Sequence, residues 1–332
     1  MSAVLESANT PPMREFNVSN SLLGNRAALD AAWERDGYWF FRDMLDKEAV
    51  DRLRAVYLKV LNELGVIEPG RTDAAIYNGA NLDNYPIRND GQLHADPLLA
   101  LNPMRAFVAE PTVRDFFTRL LGDEPYFVPN TEYHAVPPRQ DRGRNRFNFL
   151  HQDGANNKGL PLKVCWIPLA LIDDEIGGLA LTEGLHKPRP NDFPRPPEGI
   201  AQGVIPADAW RRTTYRPGDL LVFSLESPHS GLANYSDRYF RLSVDVRVMK
   251  KSENVPMVGK VDAVDAGTIT ICANDGRKQT FRLDESTFCR ILRGAQTGMP
   301  LQLAEIPQRL KIGDPVFVAS DSGKATFIRP QH

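Results

Sequence analysis

The chain has 332 residues, room for one large domain and one small one. Its 42% hydrophobic and 25% charged residues are ordinary for a water-soluble globular protein, and a net charge of -2 offers no general attraction to nucleic acid or membrane. There is no basic leader followed by an apolar run and no stretch near the about 18 apolar residues of a membrane span, so neither signal peptide nor transmembrane helix is expected, and the cytoplasm is the simplest location.

Residues 1–20 are polar and contain prolines, which predicts a flexible arm. Residues 28–35 form a short amphipathic pattern, with Leu29 and Trp33 four apart and Gly37 as its stop. Asp46 is an N-cap for a longer helix whose apolar stripe is Val50, Leu53, Val56, Tyr57, Val60, Leu61 and Leu64, ended by Gly65. Residues 67–100 lack periodicity and hold many turn residues, Asn81 among them, the pattern of a lid or substrate loop. A further helix is expected over 112–121, and strands over 126–249.

Past residue 253 the pattern changes to short strands and tight turns. The runs 258–261, 268–272 and 279–283, with Asn274-Asp275-Gly276 as a favoured hairpin turn, precede strands at 315–318 and 325–328. About five strands in so short a span suggest a small closed barrel of OB or SH3-like type. Its aromatics, Phe281, Phe288, Phe317 and Phe327, fall mostly inside by alternation, which favours a packing or dimerisation role over nucleic-acid binding. The expected organisation is an arm at 1–20, a main domain at 21–252 and a barrel at 253–332. Cys165, Cys272 and Cys289 include no CxxC pair, so neither a disulfide framework nor a cysteine metal site is indicated.

The chemistry is concentrated in His151-Gln152-Asp153, His229 and Arg241. On a strand, residues two apart face one side, so His151 and Asp153 can grip one ion while Gln152 points away. His229 follows the turn Arg216-Pro217-Gly218-Asp219 and the apolar strand 220–223, in a loop that ends that strand and faces the first pair. Two imidazoles and a carboxylate leave three positions of an octahedral metal open, the ligand set of non-haem Fe(II) oxygenases. On the next strand Tyr239, Arg241, Ser243 and Asp245 share a face. An inward Arg needs an anion, and a neighbouring Ser can add a hydrogen bond.

These runs, with Lys163-Val164-Cys165-Trp166-Ile167-Pro168-Leu169, the segment 177–187 and the opening Asp36-Gly37-Tyr38-Trp39-Phe40-Phe41, resemble the phytanoyl-CoA dioxygenase family over roughly residues 25–250. The resemblance implies a mostly β fold with N-terminal helices around a double-stranded β-helix, or jelly-roll (cupin-like), core. It implies iron on His151, Asp153 and His229, and 2-oxoglutarate on Arg241 and Ser243 with Trp166 against it. It implies a dioxygenase that uses Fe(II), 2-oxoglutarate and O2 to oxidise, most simply hydroxylate, an unactivated C–H bond of a small metabolite. Asp153 favours hydroxylation, desaturation or rearrangement, because the related halogenases have Ala or Gly at that position. The family usually has Pro-Gly-Ser-His where this chain has Glu183-Gly184-Leu185-His186, which affects a structural loop.

Other residues have two readings. Arg139, Arg142, Arg144 and Arg146 could capture an anionic substrate; the plainer reading is a solvated loop. His134, Asn130 and Tyr133 could line the pocket or pack as core, and His186 is better read as a loop residue held by a hydrogen bond. Asn81, Asn130, Glu132 and Gln152 hint at a polar substrate, and a natural-product intermediate is one such class. Rival functions are a zinc hydrolase using the same ligands and a non-catalytic binding protein on the same barrel, with the C-terminal module as its partner surface; a homo-oligomer formed through the C-terminal domain is a separate expectation.

Overall fold

The computed structural model describes residues 11–85, 96–139, 146–156, 160–187, 200–290, 292–293, 296–297 and 300–330. Helix α1 (Arg26–Asp36) is capped by the Asn25 side chain and stopped by Gly37, whose left-handed φ of 79° suits glycine. Helix α2 (Lys47–Glu63) starts under the Asp46 carboxylate, which accepts from the Glu48 and Ala49 amides. Helices α3 (Asp96–Leu101), α4 (Pro103–Phe107) and α5 (Pro111–Leu121) follow; the expected helix over 112–121 is α5, whereas α3 and α4 lack a periodic signal long enough to read.

Strands β1 (Tyr38–Phe41), β2 (Pro125–Val136), β3 (Lys163–Pro168), β4 (Gly178–Thr182), β5 (Trp210–Arg211), β6 (Leu220–Ser224), β7 (His229–Leu232) and β8 (Arg241–Lys250) make two sheets. The larger has the order β1-β6-β3-β8-β2, the smaller β5-β4-β7. Cys165, Ile167, Leu220, Val222, Val244, Val246 and Val248 face outward and join α2 and α5 in one apolar cluster. Their alternates, among them Val164, Trp166, Leu221 and Phe223, belong to a second cluster, on the opposite face of the large sheet. On that face β8 presents Arg241, Ser243, Asp245 and Arg247, all buried. Among the described residues no helix is long and apolar enough to cross a membrane.

The C-terminal strands are β9 (Met257–Val264), β10 (Thr268–Ala273), β11 (Lys278–Arg282), β12 (Phe288–Cys289), the short pair β13 (Leu292–Arg293) and β14 (Gln296–Thr297), β15 (Pro315–Asp321) and β16 (Lys324–Pro330), with the short α6 (Ile306–Arg309) before β15. The order β11-β10-β9-β15-β16 closes into a ring through a parallel β11–β16 pairing. Inside lie Val261, Ile269, Ile271, Phe281, Val316, Val318 and Ile328. Phe317 and Phe327, expected inside this barrel, are buried elsewhere. They join the cluster of Val128, Trp166 and Met249, so this outer face packs on the main domain. Neighbouring residues on a strand point to opposite sides, which is why Phe317 leaves the interior that Val316 and Val318 fill.

Candidate metal centre

His151 and His229 face each other across an antiparallel bridge. His151 N–H donates to the His229 carbonyl at 3.0 Å, and His229 N–H returns the bond at 2.9 Å. The segment 151–153 is not the regular strand expected: after the bridge the chain turns into a short 3-10 helix that begins at Asp153. His229 also departs from expectation, opening β7 rather than ending β6 in a loop. His151, Asp153 and His229 nonetheless bring one ligand atom each within 4.8 Å of one another. Gln152 points away as expected, and its amide donates to the Glu226 carbonyl.

Each imidazole is held in the tautomer a metal needs. His151 Nδ1 donates to the Phe149 carbonyl at 3.0 Å and His229 Nδ1 to the Ser227 carbonyl at 2.9 Å. A carbonyl can only accept, so Nδ1 carries the proton and Nε2 keeps its lone pair. Those Nε2 atoms lie 3.3 and 3.9 Å from Asp153 Oδ1. Burial pushes His229 down to about 4, helped by the neighbouring His151. Burial pushes His151 the same way, but its hydrogen bond to the Asp153 carboxylate prevails and raises it.

The other Asp153 oxygen, Oδ2, accepts from Arg247 Nη2 at 3.0 Å. Burial alone would raise the Asp153 pKa; the Arg247 charge instead holds it well below the usual carboxylate range. Arg247 also lies 3.4 Å from Asp245, whose other oxygen meets His134 Nε2 at 2.6 Å. A row of alternating charge thus runs from Asp153 through Arg247 to Asp245 along β8, and β2 meets its end through the His134 imidazole. Sequence reading placed Asp245 on this face but stopped short of Arg247, which the period of two reaches from Arg241. Of the residues with open roles, His134 joins the network, while Tyr133 turns to the helix side and bonds Asn102 and the Met104 amide.

Arg241 enters the same interior from the far end of β8. Its Nη1 donates to the Gly178 carbonyl at 3.1 Å and to the Leu232 carbonyl at 2.6 Å. Gly177 and Gly178 have φ of 94° and 93°, and a Cβ on Gly177 would lie 2.7 Å from the Ala233 carbonyl. That turn needs glycines, and it aims the Gly178 carbonyl at Arg241. The buried Ser243 hydroxyl, on the same face, has no hydrogen-bond partner among the described residues. Trp166 is buried edge-on to Tyr215 at 4.7 Å. A guanidinium beside an unpaired hydroxyl suits a carboxylate-bearing co-substrate.

Arg139 and Arg146 have internal partners, the Asp237 carbonyl for one and Asp174 for the other, so they act as loop ties; Arg142 and Arg144 lie outside the described residues. Asn81 caps a short 3-10 turn through Asp83. Among the described residues the expected hydrogen bond of His186 finds no partner at its buried Nδ1, and the ring packs on Gly37, where there is no room for a Cβ. The Glu183 departure is taken up by Arg211 and by the Tyr38 hydroxyl, which donates to Glu183 at 2.7 Å.

Two histidines and a carboxylate converging inside a jelly roll define a non-haem iron oxygenase. The chain belongs to the phytanoyl-CoA dioxygenase family, whose model matches residues 33–243. It is thus an enzyme using Fe(II) and 2-oxoglutarate, which decides against the zinc hydrolase and the non-catalytic binding protein. It is 26% identical over 265 residues to the 1-deoxypentalenic acid 11-beta-hydroxylase of Streptomyces arenae, covering 74% of this chain and 88% of that one, and 25% identical to that of Streptomyces exfoliatus. A solved structure of EctD from S. alaskensis with 2-oxoglutarate and 5-hydroxyectoine is 17% identical, with a TM-score of 0.49 over 74% of this chain and 83% of that chain.

Proposed function

We propose that the chain hydroxylates an unactivated C–H bond of a small metabolite, with iron held by His151 Nε2, His229 Nε2 and Asp153 Oδ1. The observation that carries this is the commitment of both Nδ1 atoms and of Asp153 Oδ2 to protein partners, so that the remaining atom of each residue, His151 Nε2, His229 Nε2 and Asp153 Oδ1, is turned toward the other two. Bound there, Fe(II) with 2-oxoglutarate and O2 supplies the oxidising power. The chain's residues orient and exclude. Arg241 and Ser243 anchor the distal carboxylate of 2-oxoglutarate, Trp166 walls it, Arg247 fixes the Asp153 carboxylate, and the surrounding Leu221 and Phe223 keep water out. Similarity to hydroxylases of 1-deoxypentalenic acid supports a natural-product intermediate as the substrate.

We also read the chain as an N-terminal arm at 1–20, an oxygenase domain at 21–252 and a C-terminal barrel at 253–332; the expected flexibility of the arm does not extend to Phe16, which is buried against Tyr38 and Phe40. The ring order, first-second-third-fifth-fourth with its parallel closure, supports an OB barrel over an SH3-like one. Its outer Phe317 and Phe327 are turned to the oxygenase, which supports packing as their role.

Anaerobic titration of the apo-protein with Fe(II) and 2-oxoglutarate tests the site. A weak visible charge-transfer band should form with wild type and be much weaker with Arg241→Ala. A metal-replete wild type without a band refutes the assignment.

A further inference from the structure

The small barrel does more than pack. Arg329 on β16 extends to the oxygenase strand β2, where its Nη2 lies 3.5 Å from Glu132 Oε1. Phe327, two residues earlier on the same face, belongs to the cluster shared with the oxygenase core, so this face of β16 is turned inward. Glu132 sits opposite Asp245 in the β2–β8 register, and Asp245 contacts the Arg247 that holds Asp153. Arg329 therefore stands at the outer end of the charged row that leads to the metal triad. Its side chain is only 13% exposed, against 27% for Glu132.

The pairing of Arg329 is weak for so buried a guanidinium. A charge-assisted N–H···O bond is typically about 2.7–2.9 Å long. Burial pulls the Arg329 pKa down to about 10, with Glu132 opposing and Arg247 and Arg290 reinforcing the fall. A cation short of counter-charge, close to a reaction centre, favours an anion. Near the triad, Phe149 stacks on His151 at 4.9 Å and is 40% exposed, an apolar ring beside the triad.

We propose that the C-terminal barrel completes the substrate chamber and that Arg329 binds a carboxylate of the molecule being oxidised, whose apolar skeleton lies toward Phe149. Glu132 is then the competing partner that the incoming carboxylate displaces. This rests on the assignment of the triad as the metal site.

The test is calorimetric binding of cyclohexanecarboxylate and of cyclohexanecarboxamide to anaerobic protein loaded with Fe(II) and 2-oxoglutarate. Wild type should favour the carboxylate by about tenfold or more, Arg329→Gln should lose that preference, and Arg329→Lys should restore part of it. Glu132→Gln should bind the carboxylate more tightly, because it removes the competitor. The affinity for 2-oxoglutarate should be the same in all four proteins. A mere structural clasp would make Glu132→Gln and Arg329→Gln lose binding together, and that result overturns the proposal. So does a wild type that does not distinguish the acid from the amide. Should Arg329→Gln fail to fold, Glu132→Gln and Arg329→Lys decide alone. Failure of the triad assignment itself is separate, since it would appear as no iron–2-oxoglutarate band in wild type.

Discussion

Arg247 and Asp153 are joined by a 3.0 Å contact between Nη2 and Oδ2, both groups buried. One oxygen of the carboxylate is thereby fixed by the protein and the other, Oδ1, is the one facing both histidines. Arg247→Met should weaken Fe(II) and Mn(II) binding about 10–100-fold, the usual effect of losing an outer partner of a metal ligand. Arg247→Lys should recover part of it. Metal titration under anaerobic conditions reads both, and an unchanged affinity in Arg247→Met would show that Asp153 needs no support.

At the other end of the same face, Gly231 leaves room for Arg241. A Cβ there would lie 3.0 Å from Arg241 Nη2, tighter than an ordinary contact. Gly231→Ala should therefore displace the guanidinium and raise KM for 2-oxoglutarate several-fold, while Arg241→Ala raises it more. Neither should alter Mn(II) affinity in the absence of 2-oxoglutarate. Equal KM values for Gly231→Ala and wild type would place the co-substrate elsewhere.

The triad was legible because its spacing survives irregular backbone. The ligand atoms of His151 and Asp153 converge with that of His229 within 4.8 Å although only His151 makes a strand bridge and the chain then turns into a 3-10 helix. Arg241, Ser243 and Asp245 were legible from the period of two. Arg247 was within reach of the same rule, yet nothing local marks it: its importance comes from Asp153, 94 residues away in sequence. Arg329 is harder still. The last strand was read only to residue 328, with Phe327 inside the small barrel, and only the packing of that barrel on the oxygenase turns the face of Phe327 and Arg329 toward the larger domain. The helices α3 and α4 were not legible because 6 and 5 residues are too few for a periodic signal.

The cysteines give a direct check on burial. Burial pushes Cys289 up to about 12 and Cys165 further in the same direction, whereas Cys272, near the end of β10, is half-buried. A thiol reacts as its thiolate, so at pH 8 native protein should titrate one thiol with a disulfide reagent rapidly and all three only when unfolded. Two fast thiols in the native protein would mean that either the small barrel or the oxygenase core opens readily.

Acid should separate the two histidines. His229 is pushed down to about 4, while His151 is raised above 6.5 by its bond to Asp153. Between those values the apo site holds one proton, on His151, and none on His229. A metal needs both Nε2 lone pairs, so its binding expels that one proton and affinity rises with pH. The logarithm of Mn(II) affinity against pH should therefore have a slope of roughly one over this window, flattening above the His151 value. The stability signs are opposite. His151 contributes stability that is fully present below its unfolded value and lost as pH rises through its raised folded value; His229 contributes stability present above its unfolded value and lost as pH falls toward 4. A slope near two would mean that both imidazoles are protonated in the apo site, and that burial does not keep His229 neutral.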